Sequence, residues 1–155
     1  MNIADIITPA DVFCDLKASG KRRLLVDLAT IVASRVGLDG GVVFEALWER
    51  EKLASTGVGR GVAIPHGRMQ RLPRIAGLFV KLQTPVDFEA PDDVPVDLVF
   101  LLLTPAEAGA DHLKALARIS RLLRHAGTCE RLRAATSADA LYSLLTEPPA
   151  GTRAA

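Results

Sequence analysis

VDLVFLLL, Val96 to Leu103, is apolar at every position except Asp97. A strand with one face in water alternates apolar and polar residues, and this run does not. It predicts a central strand covered on both faces. Upstream, IAGLFVKLQT, Ile75 to Thr84, predicts a second strand, and short strands are expected around Val58 and over Val62 to Ile64. Nearer the N-terminus, Leu24, Leu25, Leu28, Ile31, Val32 and Val36 fall at helical spacing, and Gly37 stops that helix. Asp39 is placed to cap a second helix, which carries Val43, Ala46, Leu47 and Trp48 toward Leu53. After Pro105 the spacing of Leu113, Leu116, Ala117, Ser120 and Leu123 predicts a long helix, and Thr128 and Ser137 are expected to cap two short ones. Helices, then strands, then helices predict an α/β domain with a mixed sheet flanked by helices. That domain is expected over residues 1–146. EPPAGTRAA, 147–155, is expected to be a disordered tail.

The 155 residues, 49% of them hydrophobic, suffice for one domain with a full core. The net charge of +1 gives no field for attracting nucleic acid, so a nucleic-acid partner is not expected. Cys14 and Cys129 stand far apart with no CxxC, which predicts a reduced cytoplasmic protein rather than a disulfide scaffold. The opening MNIADIITPADVFCDL lacks a basic stretch followed by an apolar one, so no signal peptide is expected. The apolar runs fall far short of the ~20 residues that cross a bilayer, so no membrane insertion is expected.

Between the helices and the strands lies GVGRGVAIPHGR, Gly57 to Arg68, with one histidine among four glycines. Pro65 fixes its own φ and holds Ile64 extended, and Gly67 permits close approach or an unusual φ. His66 is thus set on stiff backbone with little bulk beside it. The backbone of Gly57, Gly59, Gly61 and Gly67 is suited to aim N–H groups at an anion, and Ser55, Thr56 and Arg68 are further candidate donors. A neutral imidazole so placed suits attack on phosphorus, where positioning and donors to the equatorial oxygens do most of the work. The residues alone leave a second reading open: a loop histidine between two strands, with glycines that only make turns.

Other chemistries find less support. His66, His112 and His125 have no HxH or HxxxH spacing, so no metal site is expected. Neither cysteine has an activating neighbourhood, and there is no GxxxxGK[ST] nucleotide loop. No cofactor is expected.

REKLASTGVGRGVAIPHGR, Arg50 to Arg68, resembles the active-site segment of the type-2 IIA domains of the bacterial phosphoenolpyruvate-dependent phosphotransferase system. These are the fructose/mannitol-type IIA domains and their nitrogen-regulatory relatives. VDLVFLLLTPAEAGADHLKALARISRLL resembles the family's buried strand, loop and next helix, and ERLRAATSADALYSLL also fits. The N-terminal ITPADVFCDLKASGKRRLLVDLA looks like the nitrogen-regulatory branch. The resemblance implies the type-2 IIA fold, with His66 as phosphoacceptor, His112 as a second histidine beside the phosphoryl group and Arg50 as a guanidinium close to it. His125 matches no motif and is expected on a helix surface. The implied partners are an HPr-type phosphocarrier and, downstream, either regulated target proteins or a IIB domain. Val58, Val62 and Met69 are expected to form the docking patch. Arg60, where relatives often carry an amide or an acid, is expected to favour the phosphorylated form or to change partner preference. With no IIB segment or membrane span fused in the sequence, regulation is favoured over sugar transport.

Overall fold

The computed structural model describes residues 1–148. Most of the expected tail therefore lies outside the described residues, although Glu147 is placed, with its carboxylate 3.2 Å from Arg131 Nη1. In chain order the elements are β1 (Val12–Leu16), α1 (Lys21–Val36), α2 (Gly40–Leu53), β2 (Gly57–Gly59), β3 (Val62–Ala63), β4 (His66–Met69), β5 (Ala76–Val86), β6 (Val96–Pro105), α3 (Ala110–Arg124), α4 (Ala126–Ala134) and α5 (Ala138–Thr146). Two single 3₁₀ turns, Ile3–Asp5 and Pro9–Asp11, precede β1.

The sheet is mixed, in the order β1-β5-β6-β3-β2, with β4 also on β6. β6 is its centre. β5 runs antiparallel along one edge of it, and β3 and β4 share the other edge, both parallel to it. Val62 pairs with Leu98 and His66 with Leu102, so β3 and β4 follow one another along β6, interrupted at Ile64–Pro65. Proline cannot donate to a ladder, but its carbonyl accepts from Leu102 N–H at 2.9 Å, which keeps the two pieces in line.

The apolar run of β6 is covered on both sides, as its sequence predicts. Val99, Leu101 and Leu103 face a core with Leu24, Leu25 and Leu28 of α1 and Val43 and Leu47 of α2. Leu98, Phe100 and Leu102 face a second core with Ile3, Ile7, Ala115 and Ile119, Leu132 of α4, and Leu141 and Leu145 of α5. Both sides fill because strand residues alternate direction.

Helix ends follow sequence with one exception. Gly37 closes α1 in the left-handed region, and the Asp39 carboxylate accepts from Gly41 N–H at the start of α2. Ser137 caps α5, but Thr128 does not cap α4. His125 does so, with its Nδ1 accepting the Thr128 N–H at 3.1 Å. α3 is also turned from its expected phase. Its buried face is His112, Ala115, Ile119 and Leu123, while Leu113 is 65% exposed.

Candidate functional site

His66 opens β4 at the point where the edge strand resumes after Pro65. Its Nδ1 lies 2.8 Å from the carbonyl oxygen of Ile64. A carbonyl only accepts, so Nδ1 carries the proton and the lone pair is on Nε2. Burial pushes the pKa of His66 down, Arg50 pushes it the same way, and the Ile64 bond and Glu51 oppose. The ring is therefore held neutral with a fixed tautomer.

His112 sits in the first turn of α3 and is buried. Its Nδ1 is hydrogen-bonded to the Thr104 hydroxyl. Thr104 lies two residues past Leu102, the partner of His66 on β6, so β6 sets both imidazoles side by side. Their ring centroids are 5.9 Å apart with planes tilted by 56°. Burial lowers the pKa of His112, helped by Arg68 and by His66.

Two guanidinium groups border the pair. Arg50, in the last turn of α2, gives one N–H to the Ala54 carbonyl at 2.8 Å and lines a shallow depression with His66, Val58, Leu116 and Ser120. Arg68, on β4, reaches toward the Ala106 carbonyl near His112. The structure thus groups His66, His112 and Arg50, and adds Arg68, Thr104 and the Ile64 carbonyl. Sequence reasoning names Arg68 only as a donor and does not single out Thr104 or the Ile64 carbonyl. Thr104 directly follows the apolar run Leu98–Leu103, and a polar residue closing that run is the signal that could have flagged it.

Several expected roles change. The Ser55 hydroxyl donates to Phe88 O at 2.6 Å, and the Thr56 hydroxyl donates to the Glu51 carboxylate. Both residues hold the segment together rather than offer donors to an anion. Gly57 N–H is likewise taken by Ser55 Oγ. The glycines shape backbone instead. Arg60 and Gly61, with φ of +57° and +78°, form the two-residue turn between β2 and β3, the geometry of a tight type I′ hairpin. A Cβ on Gly61 would lie 2.7 Å from Arg133 Nη2, and one on Gly57 would lie 2.8 Å from Ala90 Cβ. Gly59 also has a positive φ, +96°. Gly67 does not, and a Cβ there would meet Ala46 of α2 at 3.5 Å, an ordinary contact.

The expected docking patch is also corrected. Val58 is 57% exposed beside the depression, but Val62 and Met69 are 1% and 3% exposed and belong to the cores. β3 and β4 turn those side chains inward because they continue the sheet. The Arg60 guanidinium donates to the Arg124 carbonyl at the C-terminal end of α3. There it complements the helix dipole. Among the described residues there is no group of three or more His, Cys, Asp or Glu side chains suited to a metal ion, and no helix long and apolar enough to cross a membrane.

A model of the family described as phosphoenolpyruvate-dependent sugar phosphotransferase system, EIIA 2, matches residues 5–147. A nitrogen regulatory protein of Bradyrhizobium diazoefficiens is 52% identical over 150 residues, which span 97% of this chain and 98% of that protein. The fructose-specific EIIA component of Haloferax volcanii is 37% identical over 153 residues, 95% of this chain and 98% of that one. The crystal structure of the nitrogen regulatory protein IIA-Ntr from Neisseria meningitidis shares the fold with a TM-score of 0.89 and 36% identity, over 93% of this chain and 99% of that chain.

Proposed function

We propose that this chain, which belongs to the EIIA 2 family of the phosphoenolpyruvate-dependent sugar phosphotransferase system, is a phosphorelay protein that takes a phosphoryl group onto His66 from the phosphohistidine of an HPr-type carrier. The observation that carries this reading is the Nδ1 contact with the Ile64 carbonyl, which leaves Nε2 as the nucleophile on a ring held neutral.

In the transfer, the Nε2 lone pair of His66 bonds to phosphorus as the carrier's P–N bond breaks. The electron pair of that bond returns to the carrier's ring, which keeps its other N–H and leaves as a neutral imidazole. The His66 ring keeps its Nδ1–H and becomes cationic, and the Ile64 carbonyl accepts from it. Arg50 and Arg68 stabilise charge on the equatorial oxygens, the main demand of phosphoryl transfer. His112, its Nδ1 bonded to the Thr104 hydroxyl, is assigned the Nε2–H tautomer, in which the hydroxyl donates to Nδ1 and the Nε2 proton is offered to a phosphoryl oxygen. The carrier docks over Val58 and the outer stripe of α3, where Leu113 and Leu116 lie.

The identity with nitrogen regulatory proteins supports a regulatory output, in which target proteins respond to the phosphorylation state. The 37% identity with a fructose-specific component favours a second reading, in which phosphate passes on to a IIB domain. The test is intact mass after incubation with phosphoenolpyruvate, Enzyme I and phosphocarrier. A gain of one phosphoryl group, lost in His66→Ala, is expected. No gain with a competent carrier would overturn the reading and leave a module that only binds. Adding candidate IIB domains then separates the two outputs.

A further inference from the structure

Next to the site lies a buried carboxylate that makes no direct hydrogen bond to either imidazole. The Glu51 side chain on α2 is 1% exposed. Its Oε2 accepts from Lys21 Nζ at 3.1 Å and from Thr56 N–H at 2.9 Å, and its Oε1 accepts from the Thr56 hydroxyl. The Thr56 carbonyl accepts the Ile64 N–H at 3.0 Å. The Ile64 carbonyl accepts the His66 Nδ1–H at 2.8 Å. An unbroken series of hydrogen bonds and backbone therefore runs from Lys21 at the start of α1, through α2 and two backbone segments, to the imidazole.

We infer that the Lys21–Glu51 ion pair is a positioning device that fixes the tautomer and orientation of His66 through Thr56 and Ile64. This rests on the reading of His66 as phosphoacceptor. Stability alone does not account for the pair. Withdrawing two charges from water is costly, and a well-packed apolar pair in the same space is often as stable or more so. An apolar pair, however, would leave both the Thr56 N–H and hydroxyl without their acceptor. The coupling is positional rather than electronic, because the N–H and C=O of Thr56 belong to different peptide units, as do those of Ile64. Glu51 thus fixes where Thr56 sits, Thr56 fixes Ile64, and the Ile64 carbonyl fixes the ring. A second arm braces the same segment: Phe88 O accepts from both Lys21 Nζ at 3.2 Å and Ser55 Oγ at 2.6 Å. The charge on Glu51 also acts on His66, favouring its protonated ring. It is well placed to support the cationic ring that phosphorylation creates.

The test uses the full chain with ¹⁵N-labelled imidazoles, as wild type, Glu51→Gln, Thr56→Val and Thr56→Ser. Wild type is expected to show a single Nδ1–H tautomer at His66. Glu51→Gln is expected to show a tautomer mixture and a fall of about tenfold or more in kcat for phosphorylation, as when a residue that orients a reacting group is lost. KM for the carrier stays unchanged, because Glu51 is not on the docking surface. Thr56→Val falls in the same direction, and Thr56→Ser, which keeps the hydroxyl, behaves as wild type. A folded Glu51→Gln with wild-type tautomer and kcat would overturn the inference. If Glu51→Gln does not fold, the decision passes to position 56, where equal tautomers and rates for Thr56→Val and Thr56→Ser would overturn it. If wild type takes no phosphoryl group, the functional reading fails while the tautomer still tests the positioning.

Discussion

At the scale of the residue, His66 is defined by what surrounds its two nitrogens. Burial lowers its pKa, Arg50 adds to this, and the Ile64 bond and Glu51 oppose it, while His112 lies beside it with Arg68 acting on that second ring. A lowered pKa keeps the nucleophile neutral below the ordinary value near 6.5. The rate of phosphorylation, measured against pH with a buffered carrier, is therefore expected to hold steady through about 6.5 and to fall only at more acid pH. A fall centred on the ordinary histidine value would contradict the burial. The same depression has a consequence for stability. The unfolded chain binds protons at these histidines before the folded chain does. The stability they contribute is full above the unfolded value of about 6.5, declines as pH drops through it, and is lost once the folded pKa values are passed. His66→Gln is expected to reduce that acid loss in denaturant titrations. The docking correction is testable at this scale too. Val58→Asp should slow transfer with stability changed by no more than about 0.5 kcal/mol, as for most exposed sites. Val62→Asp and Met69→Asp should each cost several kcal/mol, because they bury an unpaired charge. The histidine itself was legible in sequence, since a Pro-His-Gly on stiff backbone is unusual. Glu51 was not, because one more acid in a helix rich in charge carries no mark of burial.

At the scale of the element, the hairpin and α3 hold the site's edges. Gly61→Ala places a Cβ in the left-handed region and 2.7 Å from Arg133 Nη2. It is expected to cost about 1–3 kcal/mol, the range for strained backbone, seen as a fall in Tm. In α3, the stripe Leu113, Leu116, Ala117 and Ser120 has helical spacing, and sequence reasoning reads such spacing as core. The core face is instead the one carrying His112. Periodicity reveals a helix but not which of two neighbouring stripes faces inward, and here a buried polar histidine disguised the inner one. Leu113→Glu is accordingly expected to leave the fold intact and raise KM for the carrier. β1 carried no legible signal: VFCDL is short, includes Asp15 at φ +59°, and gains its place by pairing with β5 and by burying Val12 in the second core. β4 is hidden for a similar reason, since HGRM has no strand pattern and is ordered by the register of β6.

At the scale of the whole molecule, one strand supports everything. β6 joins the two cores, aligns β3 with β4, and carries Thr104 to His112. Leu101→Ala is expected to cost about 2–5 kcal/mol in chemical denaturation, the range for a buried leucine. The layered α/β architecture was legible because the both-sided apolar run of Val96–Leu103 admits few other placements. The meeting of His66 and His112 was not legible from periodicity, since they lie 46 positions apart in sequence and only β6 brings them together. The resemblance to a known family supplied that pairing. Whether the pairing leaves Nε2 of His66 as the acceptor is decided by ¹⁵N and ³¹P NMR of the chain after incubation with phosphoenolpyruvate, Enzyme I and phosphocarrier. One phosphorylated ring is expected, His66, with phosphorus on Nε2 and the proton on Nδ1. Phosphorus on Nδ1, or on His112 or His125 instead, would refute that assignment.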